Sequence, residues 1–216
     1  MAWTAPSTFV AGAILTAAQL NTNVRDNTLA GGPIYTTEAL RDAAITSPFE
    51  GQRAYITAST VAAAAGAVTA VPTGIQTIYN GTSWVCVTPV GASTATVGTR
   101  ASGTYGTLTG GGTNPAVTLT TGTTALVSLT AGAALSISAA GLFVSVAVSG
   151  ATTLAASNAN GVQFDVSTAN YNLPLATTYV LTGLTAGTNT FTLNYANSGA
   201  ATGTYFNRAI TVSGIA

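Results

Sequence analysis

From about residue 116 onward, apolar side chains recur at alternate positions in short runs. Val117 and Leu119 begin the series, followed by Leu126 and Leu129, then Leu135 and Ile137. Leu142 or Phe143 with Val144, Val146 and Val148 forms the next run, and Val162, Phe164 and Val166 another. Tyr179 and Leu181, then Phe191, Leu193 and Tyr195, and finally Tyr205 or Phe206 with Ile210 and Val212 complete eight segments. Gly, Asn and Ser separate them. A period of two half-buries a strand, and short strands at this spacing predict an antiparallel sandwich or jelly roll. No helical periodicity interrupts the region, which argues against a parallel α/β sheet.

The pattern upstream is different. Thr16-Ala-Ala-Gln19 reads as a capping box, with Ile14 and Leu20 placed for a hydrophobic staple. Leu20, Val24 and Thr28 then follow at i, i+4 and i+8, and Gly31-Gly32-Pro33 stops the helix. So narrow an apolar stripe makes the helix marginal without a partner. Residues 36–44 predict a second, short helix, with Glu38 early and Arg41 late in agreement with the helix dipole. Residues 47–51 read as a turn, and residues 52–57 and 74–79 have strand composition. Residues 78–87 read as a hairpin in which Asn80-Gly81 supplies the two positive-φ positions of a type I′ turn. Residues 91–115, with Gly110-Gly-Gly112, read as a flexible linker, or as an extended segment held by adjacent chains in a fibre.

The chain is therefore expected to be mainly β. It would have an N-terminal helical segment over residues 1–30 and a small helix and β-hairpin unit over 31–90. A Gly/Thr-rich extended linker over 91–115 would lead to a C-terminal antiparallel, jelly-roll-like β-sandwich over 116–216.

Composition narrows what such a chain does. It holds 41 Ala, 41 Thr and 24 Gly among 216 residues, with five Arg, no Lys, five acidic residues and no His. Five balanced cations cannot supply the surface that nucleic-acid phosphates require. Histidine catalysis is excluded, a lone Cys86 rules out an internal disulfide, and no Cys or His cluster offers a zinc site. Glycoside hydrolysis needs two facing carboxylates, whereas Asp165 stands apart from Glu38, Asp42 and Glu50. No Gly-x-Ser-x-Gly elbow and no phosphate loop with its Lys are present. An enzyme is not expected, nor a cofactor or metal.

The longest weakly polar window, residues 54–71, is interrupted by Thr and Ser, so no membrane span is expected. No basic residues precede an apolar run at the start, so no secretory signal is expected either. Beyond Arg53 only Arg100, Asp165 and Arg208 carry charge. A surface of Thr, Ser, Asn and Ala repels its own copies poorly, which predicts an assembly in which self-association completes the fold.

Three stretches carry a resemblance. Trp3-Thr-Ala-Pro-Ser-Thr-Phe9-Val-Ala-Gly12, Leu15-Thr-Ala-Ala-Gln-Leu-Asn21 and Val24-Arg-Asp-Asn27 together resemble the N-terminal segment of tailed-bacteriophage structural proteins. Ala39-Leu-Arg-Asp-Ala-Ala-Ile-Thr-Ser-Pro-Phe-Glu-Gly51, with Tyr79-Asn-Gly-Thr-Ser-Trp84, is similar to a second module of phage tail and fibre proteins. Leu184-Thr-Ala-Gly-Thr-Asn-Thr-Phe-Thr-Leu193 and Asn207-Arg-Ala-Ile-Thr-Val212 resemble the closing strands of phage fibre-tip sandwiches. The resemblance implies a homotrimeric fibre or decoration protein of the virion. Its partners would be its own copies, capsid or tail proteins, and a host-surface glycan. A bacterial extracellular adhesion or surface-layer module, acting as a monomeric binding domain, is the alternative class.

Under this reading Trp3, Phe9, Leu20, Asn21, Val24, Arg25, Asp26 and Asn27 are the candidate attachment and trimer-contact residues. Trp3 reads as an aromatic anchor in a neighbouring socket or as local packing on its own helix. Arg25 and Asp26, beside Asn21 and Asn27, read as an inter-chain polar cluster or a solvated helix face. Trp84 is expected in the core of the small unit, with a sugar-stacking platform as the other reading. Cys86 is expected to be a small buried hydrophobe. Asp165 and Arg208 are a candidate ion pair, across strands or across chains.

Overall fold

A computed structural model describes residues 32–137, 140–198 and 201–216, together with Thr16. The helix expected after Thr16, its staple and its stop at residue 31 lie outside the described residues. In chain order the elements are β1 (Ile34–Tyr35), α1 (Glu38–Ala44), β2 (Arg53–Ile56), β3 (Ala63–Ala65), β4 (Val68–Ala70), β5 (Ile75–Tyr79) and β6 (Trp84–Cys86). They continue with β7 (Val90–Thr94), β8 (Gly98–Arg100), β9 (Ala116–Thr121), β10 (Thr124–Leu135), β11 (Ala140–Gly150) and β12 (Gly161–Val166). The last are β13 (Leu173–Thr182), β14 (Gly187–Asn197) and β15 (Gly203–Gly214).

The chain is mainly β, and two antiparallel sheets form the sandwich. One runs β13-β10-β15-β7-β4, with β8 also on β15; the other runs β12-β11-β14-β9-β3. The alternation of Val117 and Leu119 on β9 and of Leu142, Val144, Val146 and Val148 on β11 points these side chains inward. Phe191, Leu193 and Tyr195 on β14 do the same, and all of these residues are buried. On β10 the inward set is Ala125, Val127, Leu129, Ala131, Ala133 and Leu135. Leu126 is therefore not a core position: its parity turns it to the outer face, beside Val180 of β13. Phe164, expected to point in, is 44% exposed because β12 is the edge of its sheet.

The third sheet, β1-β2-β5-β6, belongs to the small unit, and only β1 and β2 run parallel within it. Helix α1 starts one residue after its Thr37 cap, whose hydroxyl accepts from the Leu40 amide. Glu38 is held by Ser59 and Thr60, which ties the helix start to the loop leading into β3. Arg41 is buried, donates to Asp42 and Thr77, and lies 4.6 Å from the centre of the Trp84 ring. Tyr79 meets the same indole edge-to-face at 5.5 Å. Trp84 is thus the centre of the small core, and the sugar-platform reading does not fit a ring covered in this way.

The boundaries drawn from composition shift in two places. Strands β3 and β4 already belong to the sandwich, pairing with β9 and β7. Residues 91–115 are not a free linker, because β7 and β8 are both zipped onto β15. One cluster of buried side chains continues from Tyr35 and Ile56 through Trp84 to Val212, so the core closes within a single chain. The expectation that self-association finishes the fold does not hold for the described residues.

The two parts meet where side chains would not fit. A Cβ on Gly122 would stand 2.6 Å from the side-chain Nδ2 of Asn80, and one on Gly214 would collide with Val85 and come within 2.8 Å of the Cys86 carbonyl oxygen. Cys86, directly beneath this seam, is 1% exposed, and burial pushes its thiol up to about 11. In Gly214→Val the seam has to open, because a packed Val85 methyl and the Cys86 backbone carbonyl both stand in the way. The thiol of the native protein should resist a water-soluble disulfide reagent, and Gly214→Val should react rapidly while keeping its β signal in circular dichroism. Equal protection of Cys86 in both proteins would contradict this seam.

Candidate functional site

Tyr205 and Ile210 both face the core, yet they are an odd number of residues apart. A regular strand cannot satisfy both, so β15 takes an extra residue: the register against β10 shifts between Thr130 and Gly132. Asn207 absorbs the irregularity at φ 47, a left-handed conformation that Asn tolerates better than most residues. The bulge leaves Asn207 outside and turns Arg208 inward, where it is fully buried.

A guanidinium keeps its charge in the interior, so this one must be met by acceptors. Its two terminal nitrogens donate to Asn114 Oδ1 and Tyr195 Oη, each at 3.3 Å, to the Thr96 carbonyl at 3.1 Å, and to the Gly111 carbonyl. The Tyr195 ring lies 5.3 Å from the guanidinium carbon. Nε has no hydrogen-bond partner. None of these partners is a carboxylate. The Gly/Thr-rich stretch is therefore pinned because its carbonyls solvate a buried cation.

A second arginine shapes the outer side of the same stretch. Arg100 Nε donates to the Thr104 carbonyl at 3.0 Å and Nη1 to the Thr107 carbonyl at 2.9 Å, folding residues 101–109 into a fixed loop. Gly106 and Tyr195 exchange backbone hydrogen bonds of 3.1 and 3.0 Å, which lay that loop on β14. Tyr105 at its tip donates to Asn158 Oδ1 at 2.7 Å and packs edge-to-face on Phe143 at 6.4 Å. Burial pushes the Tyr105 phenol up to about 12, so it remains a donor at neutral pH.

Residues 151–160 form the facing wall. Asn189 Oδ1 accepts from the Thr152 amide at 2.8 Å, and Ser145 Oγ donates to the Ser157 carbonyl at 2.7 Å. Tyr179 Oη donates to the Asn160 carbonyl at 2.6 Å. Between the two loops lies an open cleft of about 550 Å³, lined by Gly103, Thr104, Tyr105, Ala147, Ala155, Ala156 and Asn194. Ala147 of β11 and Asn194 of β14 form its floor, and no charged side chain lines it. Sequence reasoning did not single out Tyr105 or Asn194. The available signal was a lone aromatic residue, Tyr105, amid Ser, Gly and Thr.

The outer faces of the sandwich are neutral over long distances. On the six-stranded sheet they present Leu126, Ser128 and Thr130, then Ala176, Thr178 and Val180, then Ala209, Thr211 and Ser213. Ser128 and Thr178 bond through their hydroxyls at 2.8 Å, as do Thr118 and Thr190 on the other sheet.

The candidates from sequence fall as follows. Trp3, Phe9, Leu20, Asn21, Val24, Arg25, Asp26 and Asn27 lie outside the described residues. Asn80 and Gly81 do sit between paired β5 and β6, but the loop has four residues, 80–83, and only Gly81 has positive φ, at 88. In place of a type I′ turn, Asn80 Oδ1 accepts from the amides of Thr82 and Ser83 at 3.1 and 2.9 Å. Asp165 and Arg208 do not pair. Asp165 is exposed on β12 and accepts from Gln163, whereas Arg208 is sealed inside the sandwich and out of reach of any acid on another chain. Among the described residues no cluster of three or more His, Cys, Asp or Glu side chains stands ready for a metal, and no helix is long and apolar enough to cross a membrane.

No protein-family model matches the chain, and no curated protein matches it in sequence. Among solved structures it is similar to a chain of the infectious bursal disease virus Gx strain, at 12% identity and a TM-score of 0.38, over 64% of this chain and 40% of that one. The VP2 subviral particle of infectious bursal disease virus matches at 11% identity and a TM-score of 0.36, over 68% and 48% of the two chains. Eiger TNF from S. frugiperda matches at 11% and 0.34, over 47% and 64%. The chain thus spans less than two thirds of the length of each. Likeness at this level says nothing of what this chain does.

The Arg208 cage has a direct consequence for stability. Arg208→Met keeps much of the side-chain length but strands the acceptors of Thr96, Gly111 and Asn114. At about 1–3 kcal/mol for an orphaned buried polar group, the melting temperature should fall by roughly 5–10 °C. Chymotrypsin should then cut first at Tyr105. An unchanged melting temperature with Tyr105 still protected would show that the cage does not hold the segment.

Proposed function

We propose that this chain is a structural component of a virion: a homotrimeric fibre or decoration protein of a tailed phage. It would attach through residues 1–30 and project the sandwich. The observation that carries this reading is the near absence of free charge on the sandwich. Of the three charged residues beyond Arg53, Arg208 is buried and Arg100 is tied to backbone carbonyls, which leaves Asp165 as the exposed one among the described residues. A monomer that moves freely in solution ordinarily keeps mixed charges on such faces and blunts its sheet edges with them. Here the outer faces offer hydroxyls, methyls and the paired Leu126 and Val180, at 39% and 52% exposure. Such faces suit contact with identical copies, where neither desolvation of charge nor like-charge repulsion opposes association.

The resemblance of residues 3–27 to phage N-terminal segments supports the attachment role. The proposed work is mechanical and asks for no catalytic group. Because the sandwich core closes within one chain, association would lock finished subunits together instead of completing unfinished ones.

Size-exclusion chromatography with light scattering tests this reading on the full chain. The expected mass at micromolar concentration is three times the 21.2 kDa of one chain. A stable monomer at that concentration would overturn the trimer.

A further inference from the structure

We propose that the cleft between loops 101–109 and 151–160 binds a neutral saccharide. A pyranose ring offers a patch of C–H groups and a rim of hydroxyls that both give and accept hydrogen bonds. Its natural receptor is a concave site with an aromatic or methyl wall and a few fixed neutral polar groups. This cleft has both. Tyr105, Ala147, Ala155 and Ala156 supply the apolar lining, and Asn194 supplies a planar amide at the floor.

Asn194 is equipped for this. Its Nδ2 donates to the Thr192 carbonyl at 3.3 Å, which leaves one N–H; its Oδ1 accepts from no group among the described residues. A side-chain amide with one free donor and one free acceptor matches a pair of adjacent sugar hydroxyls.

Charge decides the class of sugar. The cleft has no acidic or basic lining, and the guanidinium behind the loop, Arg100, is already engaged by the Thr104 and Thr107 carbonyls. A uronic or sialic acid, or a phosphate, would lose water there without gaining a counter-charge. A neutral sugar has no such cost. The volume of about 550 Å³ is within the range of ligand sites and leaves room for more than one ring.

The walls are set before any ligand arrives. Arg100 fixes one loop, Ser145 and Asn189 fix the other, and the Tyr105–Asn158 hydrogen bond joins them. A site that needs no loop ordering on binding keeps the affinity that ordering would otherwise consume. This assignment rests on the cleft alone and does not depend on the state of assembly.

The test is a residue-resolved titration of the ¹⁵N-labelled full chain with galactose, glucose, mannose and N-acetylglucosamine in turn, with N-acetylneuraminic acid as the anionic comparison. At least one neutral sugar should cause saturable shifts at the Asn194 side-chain amide and at the backbone of residues 103–106. The anionic sugar should bind at least tenfold more weakly. Tyr105→Ala and Asn194→Ala should each weaken binding at least tenfold; Asn194→Ala, at an accessible floor position, should keep the native melting temperature. No saturable shift with any neutral sugar up to about 100 mM, where binding falls below roughly 1.4 kcal/mol, would overturn the proposal. So would shifts that survive in folded Asn194→Ala.

Discussion

A cation sealed between two sheets, with no acid beside it, has to be surrounded by neutral oxygens, and the chain must deliver those oxygens from wherever it can. Arg208 imposes this demand on the sandwich. The bulge at Asn207 sends it inward, Tyr195 of the opposite sheet takes one nitrogen, and the rest is met by Thr96, Gly111 and Asn114. Gly and Thr suit this role, since a stretch with little side-chain bulk can bring its backbone close to a buried group. What composition presents as a slack tether is thereby a fitted wall of the domain. Once the wall is in place, its outer loop carries Tyr105 to the rim of the cleft, so the same constraint reaches from the core to the surface.

The rest of the fold divides its polarity in an unusual way. Buried positions hold polar devices, including the Arg208 cage, the Asn189 node that joins Thr152, Thr121 and Thr185, and the Asn197 side chain between Ser102 and Ala201. Most of their hydrogen bonds run to backbone groups of the loops, which makes those loops nearly as fixed as the strands. The exterior, by contrast, is weakly polar and without charge over most of the sandwich. A surface of that kind neither steers partners by electric field nor repels copies. It suits a module that is held at high local concentration and presents a rigid shape.

Much of the fold was legible because alternation is a local property. The runs on β9, β11 and β14 predict their buried faces directly, and Glu38 lies in the first turn of α1 as expected, although the helix starts two residues later than residue 36, after a Thr37 cap. The misreadings have separate causes. Leu126 and Leu129 lie three apart, as do Tyr205 and Arg208, and an odd spacing cannot say which member turns out or where a bulge intervenes. The ion pair expected between Asp165 and Arg208 assumed that charge seeks charge, whereas carbonyls distant in sequence met the need. The Asn80-Gly81 pair signalled a hairpin correctly but not its four-residue loop, which Asn80 stabilises through its side chain. Tyr105 and Asn194 come together only after β14 and the Arg100 loop are in place, so no local pattern could have joined them.

The state of the Arg208 side chain in solution is the most direct measure of the central constraint. Nitrogen-edited NMR of the folded protein should show separate, slowly exchanging terminal N–H resonances for Arg208. Arg53, exposed on β2, should give a single averaged signal in the same spectrum. Caging and burial both require that contrast. If Arg208 matched Arg53, with rapid rotation and rapid exchange with water, the guanidinium would not be enclosed, and the account of the pinned Gly/Thr-rich segment would fail.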